Sequence, residues 1–418
     1  MQENALATST ASILKWPELG VCRVPYQVFT DQALYDLEQR RLFRGEVWHW
    51  VGLEAETPHP GDFKANTIGD TPVFMIRDLQ GEMKVFVNRC AHRGARLCID
   101  NCGNTKGLTC VYHNWSYDLD GNLIGVAFRH GVNKQGGLPP DFDFAEHHLI
   151  RLRVEVVAGL VFATFSETVA PLRDWLGSRM TQHIERIFSR PIRLLGRYTQ
   201  YMHNNWKLYV ENVKDSYHAS LLHLFFTTFK LNRLTQAGAV EVSESGGHHI
   251  SWSKMAADES DGSAYDREGL RANRDDFHLA DPRLLQTWPE FSDGVTHAIQ
   301  TVFPNLVVQQ IQNSLAVRLM VPKGVGECEL QWILFGYAED TPEQTEMRLM
   351  QSNLVGPAGL VSMEDGVVGH FIQQSIARDP DQTAVLEMGG RSVESRTSRV
   401  SESSVRGFWQ AYREVMAL

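Results

Sequence analysis

At 418 residues the chain is long for one domain, and 43% hydrophobic against 22% charged residues leaves apolar material for a sizeable core. Forty basic against fifty acidic residues give a net charge of −10, which argues against general nucleic-acid binding, since that needs a basic face to neutralise phosphates. No apolar run reaches the roughly 20 residues of a membrane span, and the first residues lack the basic start and apolar core of a signal peptide, so the expected location is cytoplasmic.

No repeat of about 20–50 residues is visible, which removes solenoids and propellers. A tail leads into a helix expected over 33–43, with Thr30 and Asp31 offering N-cap oxygens and Gly45 after its basic end. From Trp48 to Phe165 short apolar runs such as Pro72-Val-Phe-Met-Ile, Lys84-Val-Phe-Val and Gly159-Leu-Val-Phe-Ala alternate with turn signals, Asp120-Gly121 among them. Helical signals return over 171–190 and over 204–224, the latter beginning near Asn204-Asn205-Trp206. The polar stretch 236–296, including Gly246-Gly247, Asp258 to Asp261 and Arg271 to Asp276, suggests loops and lids. Residues 298–338 are strand-like, and a helical pattern over 341–376 is interrupted at Gly356-Pro357. The expected division is 1–45 as tail and helix, 46–165 as a β domain, and 166–418 as an α+β domain.

Two short arms lie in the β domain: Cys90-Ala-His92 and Cys110-Val-Tyr-His113, seventeen residues apart. A Rieske [2Fe–2S] cluster needs two thiolates on one iron and two imidazoles on the other, which Cys90 with Cys110 and His92 with His113 supply. The alternative is a four-coordinate zinc site, although zinc more often pairs Cys with Cys on one arm and His with His on the other. Cys98 and Cys102 are expected to be packed or surface thiols, and Cys22 and Cys328 buried small hydrophobes.

Further on, His218 and His223 can chelate one metal if a distant carboxylate completes a two-His, one-carboxylate triad with positions open for O₂. On an undistorted helix, residues five apart diverge by about 140°, so chelation requires a π-type bulge or a kink between them. Two ordinary helix histidines are the alternative.

Taken in order, Cys90-x-His92-Arg-Gly, Cys110-x-x-His113 and Asp215-x-Tyr-His218-x₄-His223 resemble the Rieske non-haem iron oxygenases, specifically the large (α) subunit of ring-hydroxylating dioxygenases. The resemblance covers nearly the whole chain, including Gly159-Leu-Val-Phe-Ala, Asn205-Trp-Lys-Leu and Phe303-Pro-Asn-Leu. It implies an all-β Rieske domain followed by a catalytic domain of antiparallel sheet surrounded by helices, of helix-grip type. It also implies a mononuclear Fe(II) beside the cluster, with electrons from NAD(P)H through a reductase and perhaps a ferredoxin. The third iron ligand falls after Gly356-Pro-Ala-Gly, at Asp365 with Glu364 as rival. Asp215 takes the position of an acid linking the cluster of one subunit to the iron of its neighbour. The assembly implied is a homotrimer, or α₃β₃ with a small β subunit. Val111 and Asn114 depart from the family's frequent Pro and Gly beside the second arm.

The branch it resembles most attacks aromatic acids: terephthalate, anthranilate, salicylate and ortho-substituted benzoates. On one strand over 308–318, Gln310, Gln312, Ser314, Ala316 and Arg318 would share a face, with Arg318 placed to grip a carboxylate. Arg391, Arg396 and Arg399 crowd the C-terminal segment, and one of them, Arg399 in particular, is a candidate for a second acidic group. The competing functions are a Rieske monooxygenase or demethylase and a bare electron carrier. A carrier needs only the β domain and leaves everything after Phe165 unexplained.

Overall fold

The structure is a computed structural model that describes residues 14–255, 263–270 and 277–418. The polar segments Asp258 to Asp261 and Arg271 to Asp276 lie outside the described residues. The chain divides into two compact units, one of Phe43–Trp175 and the other of the residues up to Leu42 together with Leu176–Leu418. In the second unit β1 (Arg23–Pro25) precedes α1 (Gln32–Arg41), whose N-cap Asp31 accepts the Leu34 N–H at 2.9 Å.

The Phe43–Trp175 unit is all-β. Its strands are β2 (His49–Leu53), β3 (Asp62–Ile68), β4 (Thr71–Arg77), β5 (Met83–Val87), β6 (Cys102–Asn104), β7 (Leu108–Thr109), β8 (Ser116–Tyr117), β9 (Leu123–Gly125), β10 (Arg153–Val157) and β11 (Leu160–Thr164). They form three antiparallel sheets in the orders β5-β4-β3-β6, β7-β8-β9 and β10-β11-β2. Phe74, Phe86, Trp115, Tyr117 and Leu123 form a buried cluster that also includes Cys90 and Cys110. The Asp120-Gly121 turn joins β8 to β9, with Gly121 at φ +83°, a left-handed corner that glycine occupies without strain.

Near the boundary of the two units, the helical stretch 171–190 is two helices, α2 (Leu172–Leu176) and α3 (Ser178–Ile187), split by Gly177 at φ +78°. A seven-stranded antiparallel sheet then dominates, in the order β12-β18-β17-β16-β15-β14-β13. After β12 (Ile192–Met202), the single helix expected over 204–224 is instead three: α4 (Trp206–Lys214), α5 (Ala219–Leu222) and α6 (Leu224–Thr228). The cause is local. Asp215 adopts extended backbone and its carboxylate accepts the Tyr217 N–H at 2.8 Å, a side-chain turn that competes with helix continuation.

The stretch expected as loops also needs correction, because β13 (Gly238–Val242) and β14 (His249–Ser253) complete one side of the sheet ahead of α7 (Ser263–Arg267). The strand expected over 308–318 is in fact a hairpin. After β15 (His297–Val302), β16 (Leu306–Ile311) turns through Gln312-Asn313 into β17 (Ser314–Gly324), which pairs with β18 (Glu327–Tyr337). A two-residue turn inverts the parity. Arg318 stands opposite Val307, in the row next to the one that pairs Ile299, Gln309 and Ala316. Odd-numbered β16 residues therefore share its face, and Gln310 points to the other side.

Two helices follow, α8 (Pro342–Val355), opened by a Thr341/Gln344 capping box, and α9 (Leu360–Ile376), then β19 (Thr383–Val385) and α10 (Ser403–Met416). A fully buried carboxylate ties α1, α4 and α10 together: Glu38 Oε1 accepts from Lys207 Nζ at 2.6 Å and Tyr412 OH at 2.5 Å, and its Oε2 from Trp206 Nε1 at 2.9 Å. Among the described residues, no helix is long and apolar enough to cross a membrane.

Candidate active site

The two Cys–His arms have the same backbone construction. Cys90 N donates to Ala95 O while Gly94 N donates to Cys90 O; Cys110 N donates to Trp115 O while Asn114 N donates to Cys110 O. Each arm thus turns at a left-handed residue, Gly94 at φ +78° and Asn114 at φ +51°. Asparagine is among the non-glycine residues best suited to that corner, so the departure at Asn114 keeps the loop, and Val111 is exposed beside it. The imidazoles of His92 and His113 approach to 4.6 Å between centroids, and His92 stacks on Trp115 at 4.6 Å and 4°. Cys90 Sγ lies 3.3 Å from Tyr117 OH. Burial pushes the Cys90 thiol up, with Cys110 adding to the shift. Two buried thiols and two adjacent imidazoles, with His113 Nδ1 buried and without a partner among the described residues, fit a two-iron cluster of mixed ligation. Cys98 and Cys328 are buried, Cys22 likewise, and Cys102 is exposed.

Among the described residues, donor atoms of His218, His223 and Asp365 gather within 4.8 Å of one another. No π-bulge brings the histidines together. His218 caps α5 and His223 sits between α5 and α6, so the broken helix frees each ring to turn inward. Asp365 Oδ1 is 3.6 Å from His218 Nε2 and 3.3 Å from His223 Nε2. Glu364 faces the opposite edge of His223, with Oε2 2.7 Å from Nδ1, which orients the ring and leaves Nε2 for the centre. Asp215 Oδ2 lies 3.5 Å from His218 Nδ1. Burial alone would lower His218, but Asp215 and Asp365 raise it to about 10. Burial likewise works to raise Asp365, and the two histidines instead hold it far below the usual carboxylate range. A site that concentrates negative charge where two imidazoles converge calls for a cation, and the donor set suits mononuclear iron.

A cavity, partly open to solvent, adjoins this centre and is lined by Phe226, His297, Ile299, Gln309, Arg318 and Arg399 as well as His218, His223 and Asp365. Arg318 is 5% exposed, donates from Nη1 to Tyr209 OH at 3.0 Å, and lies 4.7 Å above the Trp332 ring. Arg399 is equally buried; it donates to Asn232 Oδ1 at 2.5 Å and to the Arg233 carbonyl, and burial lowers it to about 10. The Nε atoms of both have no partner among the described residues. Arg391 pairs with Glu387 on the surface, and Arg396 bonds Ser392. Burial drives His297 down to about 3, and the nearby guanidiniums of Arg399 and Arg318 push the same way.

Sequence reasoning missed Asn212, Tyr209 and Gln309. Asn212 Nδ2 donates to Asp365 Oδ1 at 3.1 Å, one helical turn from Tyr209, which holds Arg318. Their i, i+3 spacing on α4 was the available signal. Reading the hairpin as one strand put Gln310, in place of Gln309, on the face of Arg318.

Residues 191–418 match the catalytic-domain model of the ring-hydroxylating α subunit, and residues 47–134 match the Rieske [2Fe–2S] domain. The α 2 subunit of the terminal oxygenase component of terephthalate 1,2-dioxygenase from Comamonas sp. is 51% identical over 97% of this chain and 98% of its own. The large subunit of anthranilate 1,2-dioxygenase from Burkholderia cepacia is 47% identical, over 98% and 97%. Among solved structures, naphthalene 1,2-dioxygenase from Rhodococcus sp. superposes with a TM-score of 0.77 over 94% of both chains at 20% identity, which speaks for the fold.

Proposed function

Because the chain belongs to the ring-hydroxylating oxygenase α-subunit family, with a Rieske domain followed by an iron catalytic domain, we propose that it dioxygenates an aromatic carboxylic acid. Cys90, His92, Cys110 and His113 hold the [2Fe–2S] cluster, and His218, His223 and Asp365 hold the mononuclear iron. With both centres loaded, the metals supply O₂ activation and one-electron delivery, so that an arene, O₂, two electrons and two protons give a cis-diol. The observation that carries the aromatic-acid reading is Arg318, a buried guanidinium on the face of a strand that lines the cavity beside the metal ligands, with no carboxylate partner among the described residues. Leaving a charge in that state is costly unless a ligand supplies the counter-charge. Its planar fork suits a carboxylate and fixes the ring's orientation. Arg399 is available to a second acidic group.

Asp215 holds the Nδ1 edge of His218 and is the bridging acid between the cluster of one subunit and the iron of the next. This implies a homotrimer, alone or with a small β subunit, reduced by a partner reductase with or without a ferredoxin, in the cytoplasm. The experiment is product analysis: holoenzyme supplied with a reductase and NADH is offered benzoate, terephthalate, and the amino- and hydroxybenzoates alongside toluene. Cis-diols, or catechols formed from them, from the acids alone support the reading. Conversion of toluene at rates matching the acids refutes it.

A further inference from the structure

The fold satisfies its buried strand glutamines with care. Gln300 Oε1 meets His183 Nδ1 at 2.9 Å and its Nε2 donates to Met180 O at 2.9 Å. Gln310 Oε1 accepts from Arg186 at 2.9 Å and its Nε2 donates to Val295 O at 2.9 Å. Gln309 is the contrast. It is 0% exposed, and neither Nε2 nor Oε1 has a partner among the described residues. A buried amide left so is costly, because each unmet group has given up its bonds to water and gained none in return. Gln309 lies on β16 between Ile299 and Ala316, on the cavity face, one row from Arg318.

The other unmet groups around the cavity divide by type. The Nδ1 atoms of His218 and His297 are unmet too and can donate or accept, whereas Arg318 Nε, Arg399 Nε and Asn232 Nδ2 are donors, and Asn232 Oδ1 is already taken by Arg399. A carboxylate, which only accepts, suits all three. It does not suit Gln309 Oε1, an acceptor that needs an N–H or O–H. An amide with both atoms open matches a group that carries a donor beside its own lone pair.

Resting on the aromatic-acid reading, we propose that Gln309 is a specificity-determining residue that reads a hydroxyl or amino substituent on the ring of the bound acid, accepting its proton at Oε1 and donating from Nε2. A site built around such a bond discriminates against the analogue that lacks it, because the amide is then stranded. The substituent is held by Gln309 while the carboxylate is held by Arg318, so the two together fix the ring in its plane.

The test is anaerobic calorimetric titration of unreduced holoenzyme with benzoate and with its 2-, 3- and 4-hydroxy and amino derivatives. Wild type should bind at least one derivative roughly 10-fold or more tighter than benzoate. Gln309→Leu should erase that preference while the benzoate Kd stays within about 2-fold and iron content is unchanged, a pattern that a loss of packing would not produce. Gln309→Met, of similar volume, should behave alike and stands in if the leucine variant loses iron. A preference that survives either substitution overturns the proposal, as does a wild type that binds all the acids equally because ordered water fills the amide's bonds. If no aromatic acid binds at all, the functional reading itself has failed. If benzoate binds and only the preference is missing, the failure is confined to Gln309.

Discussion

Replacing Arg318 with leucine isolates the charge that the cavity offers. At about 4 Å and an effective dielectric near 20, the attraction between a guanidinium and a carboxylate is roughly 4 kcal/mol, and stripping water from the acid offsets part of it. What survives for a charge-assisted pair is about 1.5–3 kcal/mol, so Arg318→Leu should weaken binding of a benzoate-type acid roughly 10- to 150-fold. The variant should fold normally. Among the described residues Arg318 has no carboxylate partner to be stranded, and its neighbours Tyr209 and Trp332 are uncharged. Thermal unfolding should therefore be unchanged or slightly raised, and iron content should equal that of wild type. Titration calorimetry supplies the Kd and metal analysis the control. A Kd within about 2-fold of wild type at full iron content would refute the assignment of this guanidinium to the substrate.

Asp215→Asn should leave both metal centres occupied, as read by iron content and the low-temperature electron paramagnetic resonance of the reduced cluster, yet nearly abolish product formation; turnover at the wild-type rate would place the electron route elsewhere. Lys207→Met removes the cation from a carboxylate that also receives Trp206 and Tyr412, leaving Glu38 buried and uncompensated. Stability measured by urea unfolding should fall by about 3–5 kcal/mol, and a shift under 1 kcal/mol would show the ion pair to be dispensable. Acid stability should depend on Asp340. Burial works to raise this carboxyl, but its bonds to Arg348 and to the Tyr337 N–H prevail and lower it. A carboxyl lowered on folding contributes stability that is complete above its unfolded pKa, near 3.9, and is lost as pH falls through the folded value. Asp340→Asn should therefore flatten the acid limb of a stability–pH curve, and an unaltered limb would contradict this.

The metal motifs were legible because thiols and imidazoles at such spacings have few other uses. Helix starts were legible too: Asp31 and Thr341 cap where their side chains reach back to free N–H groups. Two features were not. Between Trp206 and His223 there is no glycine or proline to announce the break, which Asp215 makes with its own carboxylate. The hairpin at Gln312-Asn313 likewise lacks glycine; Gln312 takes φ +54° without one, and the face assigned to every residue before it inverted as a result. Gln309 could be found only once strand pairing was known.

Tyr209 and Asn212 stand one turn apart on α4, the first gripping the guanidinium proposed for the acid and the second the carboxylate proposed for the metal. That helix is pinned at its start by Glu38, so it has little freedom to slide. One rigid rod thus carries both tethers, about 5 Å apart along its axis, so the guanidinium and the metal-facing carboxylate are positioned by the same element rather than by separate loops.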